Sequence, residues 1–307
     1  MQKLSKGDIH TPFFSSNIKL FNTLERGNNT VVFSSLKEFY HPVKSEGFAI
    51  KYVVEGLERY TLNGREYFID AGKYLLSNLT HEGHVEIQSN KSVQGICINI
   101  LPEILAEVAA SRQRPDTAYS DVELGRFFCS TLFLEHQKEA NQTQLGRFLL
   151  ELAVHSWGRN LDEGNFNIEF FYACSEKIIA DQIPIFKQLQ SIPTVKATTK
   201  KELYRRISKG KEFIDAYFLS PLTVGTVAKA ACMSEYHFFR IFKSVFNLSP
   251  NQYLIQKRLE YGLSILQQDK NSVSIAAIEA GFSDIHAFSK AFKMHFGYSP
   301  SAVMKPK

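Results

Sequence analysis

The sequence predicts a multidomain chain: a β-barrel or sandwich over residues 1–100, a helical segment over 101–190, a linker at 191–200, and an all-α domain of two helix-turn-helix units over 201–307. Three observations predict it. The first third alternates short β-rich runs with turn residues. The apolar spacing then becomes helical. Near the end, a pattern of aromatic and basic residues occurs twice at a fixed offset.

In the first region the runs are FAIKYVVEG, ERYTLNGREYFI and DAGKYLLSN. Asn63-Gly64 lies between ERYTL and REYFI, the sequence signal for a tight hairpin. Asp70-Ala71-Gly72 supplies a further turn before KYLL. Several short strands at this spacing suit a closed or face-to-face β architecture. Strand alternation puts Lys51 and Val53 on one face and Tyr52 and Val54 on the other, with the inward face left open.

The second region contains LPEILAEVAASR, VELGRFFCSTLFLEHQK and TQLGRFLLELAVHSWGR, each with apolar residues at helical spacing. Thr143 is placed to cap the third. A fourth pattern, IEFFYACSEKIIADQ, is expected to end or break at Pro184. SIPTVKATTK, residues 191–200, lacks periodicity and is expected to be the linker.

In the third region FFRIFKSVFNLSP (238–250) is echoed by FSKAFKMHFGYSP (288–300), fifty residues later. Carried upstream, the same offset pairs Ala230 with Ala280. Each unit then has a short helix with Thr223 or Ser274 as its expected N-cap, a turn at Cys232-Met233-Ser234 or Gly281-Phe282-Ser283, and a second helix over about 235–246 or 284–296. Ser249-Pro250 and Ser299-Pro300 each start a further helix. Phe238, Ile241, Phe242 and Val245 form an apolar stripe on one second helix, and Phe288, Ala291 and Phe292 do so on the other. The opposite faces carry Tyr236, Phe239, Arg240 and Lys243, and His286, Ser289, Lys290 and Lys293. A helix showing cations and flat or hydrogen-bonding side chains outward suits a major groove. The helix from 249 to about 268 is expected to space the two readers about 34 Å apart, one DNA turn.

Composition sets the broad class. The chain has 307 residues, 44% apolar and 22% charged, and a net charge of +5. Its basic excess sits in the C-terminal third while the rest is mildly acidic, which points that third at a polyanion. The opening MQKLSKGDIHTPFF has no apolar run after its charges, so no secretory leader is expected. No stretch of about eighteen apolar residues occurs, so no membrane partner is expected either. Cys97, Cys129, Cys174 and Cys232 are far apart in sequence and are expected to be buried free thiols, as in a reducing cytoplasm.

The tail GFSDIHAFSKAFKMHFGYSPSAV resembles the signature of the AraC/XylS family of bacterial transcription regulators, and the resemblance runs from about Glu202 to Val303. It implies base contacts by Tyr236, Phe239, Arg240, His286, Ser289 and Lys290, and phosphate contacts by Lys243 and Lys293. Phe239 departs from the polar residue common at its position, which points to a thymine methyl or to burial against the partner domain. Asn247 replaces the glycine usual at the end of the first unit. GFAIKYVVEG…Y…NGREYFIDAGKYLLSN, from Gly47 to Asn78, is similar to the cupin-type sensor domain of such regulators. That similarity implies a cupin-like barrel sensing a small-molecule effector and a helical segment that forms a homodimer. RNA polymerase is a further partner the resemblance implies.

Glu55, Tyr60 and His81 are the candidates for a ligand pocket. No metal, cofactor or catalytic residue is expected. KYVVEGLERY lacks the His-x-His of metal-dependent cupins, and His81-Glu82-Gly83-His84 lacks the spacing of a helical zinc pair. No P-loop, dinucleotide-binding glycine pattern or G-x-S-x-G is present. The alternatives are a cupin metalloenzyme with a DNA-targeting tail and a regulator controlled by a protein partner.

Overall fold

The structure, a computed structural model, describes residues 18–23, 29–44, 47–78, 81–111, 121–156, 166–194, 196–268 and 272–303. The expectation about a leader falls on residues 1–14, outside the described residues, as do Arg112 and Trp157-Gly158-Arg159 at the ends of two helical patterns. The chain divides into two compact units, Met1–Phe186 and Lys187–Lys307.

The first unit is built on an antiparallel sheet of eight strands: β1 (Ile18–Thr23), β2 (Asn29–Lys44), β3 (Phe48–Glu55), β4 (Leu57–Leu62), β5 (Arg65–Asp70), β6 (Lys73–Ser77), β7 (Glu82–Ile100) and β8 (His136–Glu139). The order is β1-β2-β7-β3-β6-β8, with β4 pairing both β5 and β7. The β4–β5 hairpin turns through Asn63 (φ 48°) and Gly64 (φ 77°), the left-handed pair that a two-residue loop requires. β2 and β7 are far longer than the sequence runs suggested. Pro42 sits inside β2 opposite His84 of β7, and among the described residues β1 covers β2 no further than Ser34.

The face left open in sequence is now assigned. Val53 packs with Tyr60, Leu62, Ile69, Leu75, Val85, Ile87 and Val93 in a core enclosed by the strands. Lys51 shares this face. The other face serves the helices: Phe48 packs on Phe128 and Phe133, and the Tyr74 hydroxyl meets Thr143 Oγ1 at 3.0 Å.

Among the described residues four α-helices follow β7: α1 (Pro102–Ser111) and α2 (Asp121–Cys129) before β8, and α3 (Gln144–Ser156) and α4 (Ile168–Gln190) after it. Two expectations are corrected here. The pattern VELGRFFCSTLFLEHQK is helical only to Cys129, and its end becomes β8, recruited by pairing with β6 from Lys73 to Leu76. Edge pairing overrides local propensity there. Pro184 does not end α4, which continues to Gln190. Pro184 is exposed, and buried Ile179, Phe186 and Leu189 anchor the helix on both sides of it. Thr143 caps α3, its hydroxyl accepting the Gly146 N–H at 2.9 Å, and the Asp181 carboxylate accepts two more orphan N–H groups, of Gln144 and Leu145.

The second unit is helical: α5 (Ala197–Tyr217), α6 (Val224–Ala230), α7 (Glu235–Phe246), α8 (Pro250–Leu266), α9 (Val273–Glu279), α10 (Ile285–Phe296) and α11 (Pro300–Val303). The expected linker is corrected, since its last four residues already belong to α5. At the other end, the 23-residue α4 runs to Gln190, the residue before the expected linker.

The duplication is larger than the sequence showed. Gly210 on α5 and Gly262 on α8 take the same part in the two units. A methyl added to either would lie 2.4 or 2.7 Å from the ring of Phe238 or Phe288, and 3.4 Å from Ala231 or Ala280. Buried Ile207 and Ile214 correspond to Leu259 and Leu266 at the same 52-residue offset. Each unit is therefore a trihelical body, α5–α6–α7 and α8–α9–α10. The helix expected to be a spacer is the scaffold of the second body.

Candidate nucleic-acid interface

Each body presents its last helix on a turn. In the first, Thr223 caps α6 in a reciprocal capping box with Thr226. The chain then turns through Cys232 (φ 55°), and α7 starts after Ser234. In the second, Ser272 caps α9, Gly281 (φ 78°) makes the turn, and α10 starts after Asp284. The expected cap Ser274 and the Ala230–Ala280 pairing are thus corrected to Ser272 and to Ala231–Ala280. The short helices stand 49 residues apart (Thr223 to Ser272) and the recognition helices 50 (Phe238 to Phe288), because the second turn holds one residue more. The Asp284 carboxylate accepts the Ala287 N–H at 2.7 Å, and this bond holds the carboxyl below its usual pKa range.

The buried sides hold both helices in place. Phe238, Ile241, Phe242 and Val245 are buried on α7, as are Phe288 and Phe292 on α10, while Ala291 is half-buried. Each buried phenylalanine contributes about 1.5–3 kcal/mol. Ring centroids of 238 and 242 lie 5.3 Å apart and those of 288 and 292 lie 5.4 Å apart, so one packing scheme is used twice. α7 ends at left-handed Asn247 (φ 57°), where α10 ends at Gly297 (φ 82°). Asparagine tolerates that backbone.

On the outward sides Tyr236, Phe239, Arg240 and Lys243 are exposed, as are His286, Lys290 and Lys293, while Ser289 is half-buried. Phe239 keeps 39% of its surface accessible within this unit. Among the described residues no carboxylate pairs with Arg240, Lys243, Lys290 or Lys293, so these charges are available to an external anion.

The three pocket candidates in the first unit do not converge. Glu55 is exposed at the end of β3. Tyr60 is buried in the strand-enclosed core, its hydroxyl donating to Glu58 at 2.5 Å. His81 is fully buried, with Nε2 2.7 Å from Glu135 Oε2 and Nδ1 against Asn78. Tyr67 donates to the other oxygen of Glu135 at 3.0 Å. This is a polar tether between the start of β7 and β8. The His84 ring instead lies 5.1 Å from that of Tyr40, tilted by 31°.

Sequence reasoning missed Lys51, Glu58 and Cys97. The Lys51 ammonium lies 2.6 Å from Cys97 Sγ, directly across the β3–β7 pair, and burial raises the pKa of Glu58 nearby. Inward alternation on β3, β4 and β7 is the signal that locates them once the face is known. The buried-thiol expectation is corrected as well. All four cysteines are free, but only Cys174 is buried, while Cys97 is half-buried and Cys129 and Cys232 are exposed. Cys129 ends α2, and Cys232 occupies the left-handed turn position. Among the described residues no group of three or more His, Cys, Asp or Glu is placed to hold a metal ion, and no helix is long and apolar enough to cross a membrane.

Two trihelical bodies, each with an exposed cation-bearing helix after a tight turn, define a double helix-turn-helix module. Residues 227–306 match the family model described as a helix-turn-helix domain. The chain is 36% identical over 99 residues to the Msm operon regulatory protein of Streptococcus mutans, covering 32% of this chain and 36% of that one. It is 38% identical over 110 residues to an uncharacterized HTH-type transcriptional regulator of Escherichia coli, YidL, covering 36% and 37%. A solved AraC-type regulator from Chromobacterium violaceum is 24% identical, with 33% of this chain and 90% of that chain covered and a TM-score of 0.32. The chain thus spans about a third of the length of these curated relatives. Residues 227–306 of its C-terminal region are thus a helix-turn-helix domain.

Proposed function

We propose that the chain is a sequence-specific DNA-binding transcription regulator of the AraC type, responsive to a small molecule held in a cupin-like first unit. One observation carries the reading: two helices, built on the same buried phenylalanine scheme, each expose cations (Arg240 and Lys243, Lys290 and Lys293) that no carboxylate pairs among the described residues. Tyr236, Phe239, Arg240, His286, Ser289 and Lys290 read base edges, and Lys243 and Lys293 hold phosphates. The chain acts as a regulator and not as an enzyme, in the cytoplasm, as a homodimer through residues 101–190, with RNA polymerase as a further partner.

The effector site belongs to the inward face of the strands. Tyr60, Glu58, Lys51 and Cys97 supply polar groups there, whereas exposed Glu55 and the tethered His81 do not take part. An effector that prefers one arrangement of the chain shifts the population able to bind DNA by its differential affinity.

In vitro selection of duplexes from a random library with the full-length chain tests the DNA reading. Enrichment of a motif with two boxes supports it, and recovery of unenriched sequence overturns it. Thermal shift against a metabolite library tests the effector, because a ligand of the native state raises its melting temperature.

A further inference from the structure

Arg206 and Arg258 occupy matching positions on the scaffold helices, 52 residues apart like Gly210 and Gly262. Each donates from Nη1 to a carbonyl in the turn of its own body: Arg206 to Cys232 at 3.3 Å and Arg258 to Gly281 at 2.9 Å. Their remaining donors differ. Arg206 Nε bonds Glu202, one turn away on its own helix. Arg258 sends Nε to the Phe218 carbonyl at 2.7 Å and Nη2 to the Ser220 carbonyl at 3.0 Å, both at the end of α5 in the other body. Those carbonyls follow the last turn of α5, where backbone acceptors lack helical partners. A guanidinium offers a planar, rigid fork of five donors, so filling three acceptors from two directions fixes angles as well as distances.

We propose that Arg258 is the positioning residue that sets the orientation of one helix-turn-helix body against the other, and through it the spacing at which both recognition helices engage DNA. The orientation half stands on these contacts alone. The spacing half rests on the DNA-binding reading. A second tether joins α5 to α8, with the Tyr253 hydroxyl donating to Asp215 at 2.6 Å and Lys211 at 2.8 Å from the same carboxylate. It stays between the two scaffold helices and does not touch the turn that aims α10. Arg258 reaches that turn.

The test uses the full chain with nitroxide labels on genetically encoded keto side chains at exposed Lys229 on α6 and Glu279 on α9, read by pulsed electron spin resonance. The unsubstituted chain is expected to give one narrow distance distribution. Arg258→Gln is expected to broaden it at least about twofold, Arg258→Lys to broaden it less, and Arg206→Gln to leave its width unchanged. Circular dichroism accompanies each variant, and Arg258→Lys decides the matter if Arg258→Gln does not fold.

In parallel, duplexes taken from selection are rebuilt with one base pair added between the boxes. The unsubstituted chain should lose about tenfold in affinity on the longer duplex, and Arg258→Lys only about two- to threefold, because a looser joint adapts to either spacing. Unchanged distance distributions in both Arg258 variants overturn the proposal. So does an equal loss of affinity at every spacing. Failure to select any sequence overturns the DNA reading instead, and the distance measurement still decides the orientation role.

Discussion

Replacing Gly210 with alanine places a methyl 2.4 Å from Cε2 and 2.8 Å from Cζ of Phe238, a ring with no exposed surface that also packs on Phe242. The ring has no solvent-facing direction in which to yield. Overpacking of this kind costs about 1–3 kcal/mol. Alanine regains about 0.8–1 kcal/mol of helix propensity over glycine in α5. With the ring held on all sides the cost falls in the upper half of that range, so the net expectation is a loss of about 1–2 kcal/mol, which for a unit of this size lowers the melting temperature by roughly 3–12 °C. Gly262→Ala meets Phe288 at 2.7 and 3.0 Å, so its penalty falls on the lower side of the same range. Gly125 in α2 has nothing within 4 Å among the described residues, and alanine there should stabilise the first unit by about 0.5–1 kcal/mol. Scanning calorimetry of the full chain, with hydrogen exchange assigning each transition to its unit, gives all three values. The reasoning is refuted if Gly210→Ala melts at or above the unsubstituted chain, or if Gly125→Ala is as damaging as Gly210→Ala.

Arg240→Ala and Lys290→Ala should each cost about 1–3 kcal/mol and relax selectivity at one position of a selected duplex, read by fluorescence anisotropy on a panel of point-substituted sites. Lys243→Ala and Lys293→Ala should weaken every sequence equally and reduce the salt dependence by about one counterion each. Glu135→Leu leaves the buried His81 ring and the Tyr67 hydroxyl without their carboxylate, and should destabilise the first unit by about 3 kcal/mol in urea titrations. The half-buried His136 has Nδ1 3.0 Å from the Leu134 carbonyl and Nε2 3.0 Å from the Gln182 amide, and burial lowers its pKa from 6.5 to about 4. The unfolded chain therefore takes up that proton first. The contribution of His136 is complete above about pH 6.5 and is lost as pH falls toward about 4, with a slope of one proton that His136→Gln should abolish in pH-dependent melts.

The sequence announced what is local and repeated. The αL positions at Asn63-Gly64, Gly281 and Asn247 follow from residue type, and the stripe through Phe238 and Phe242 follows from helical spacing. The second copy of a scaffold helix was hidden because its matched positions, Gly210/Gly262, Ile207/Leu259 and Ile214/Leu266, are few and lie among unrelated surface residues. A fixed fifty-residue ruler also fails upstream of the turn, where one added residue moves the cap from Ser274 to Ser272. β8 owes its form to β6 and not to its own residues, His136-Gln137-Lys138-Glu139. The pocket candidates Glu55, Tyr60 and His81 do not converge for a related reason. Glu55 and His81 are polar residues close in sequence to the right strands, but only register decides which side chains turn inward.

The extra residue in the second turn has a consequence for how a genome is scanned. The two helices share one packing scheme but are not interchangeable: the exposed side of one carries Tyr236, Phe239 and Arg240, that of the other His286, Ser289 and Lys290, and the turns before them differ in length. A single chain that reads DNA in this way gives its target a head and a tail. Reversing the half-site bound by one chain should then weaken its binding within a fixed dimer, whereas a reader with two equivalent halves would bind identically in either direction.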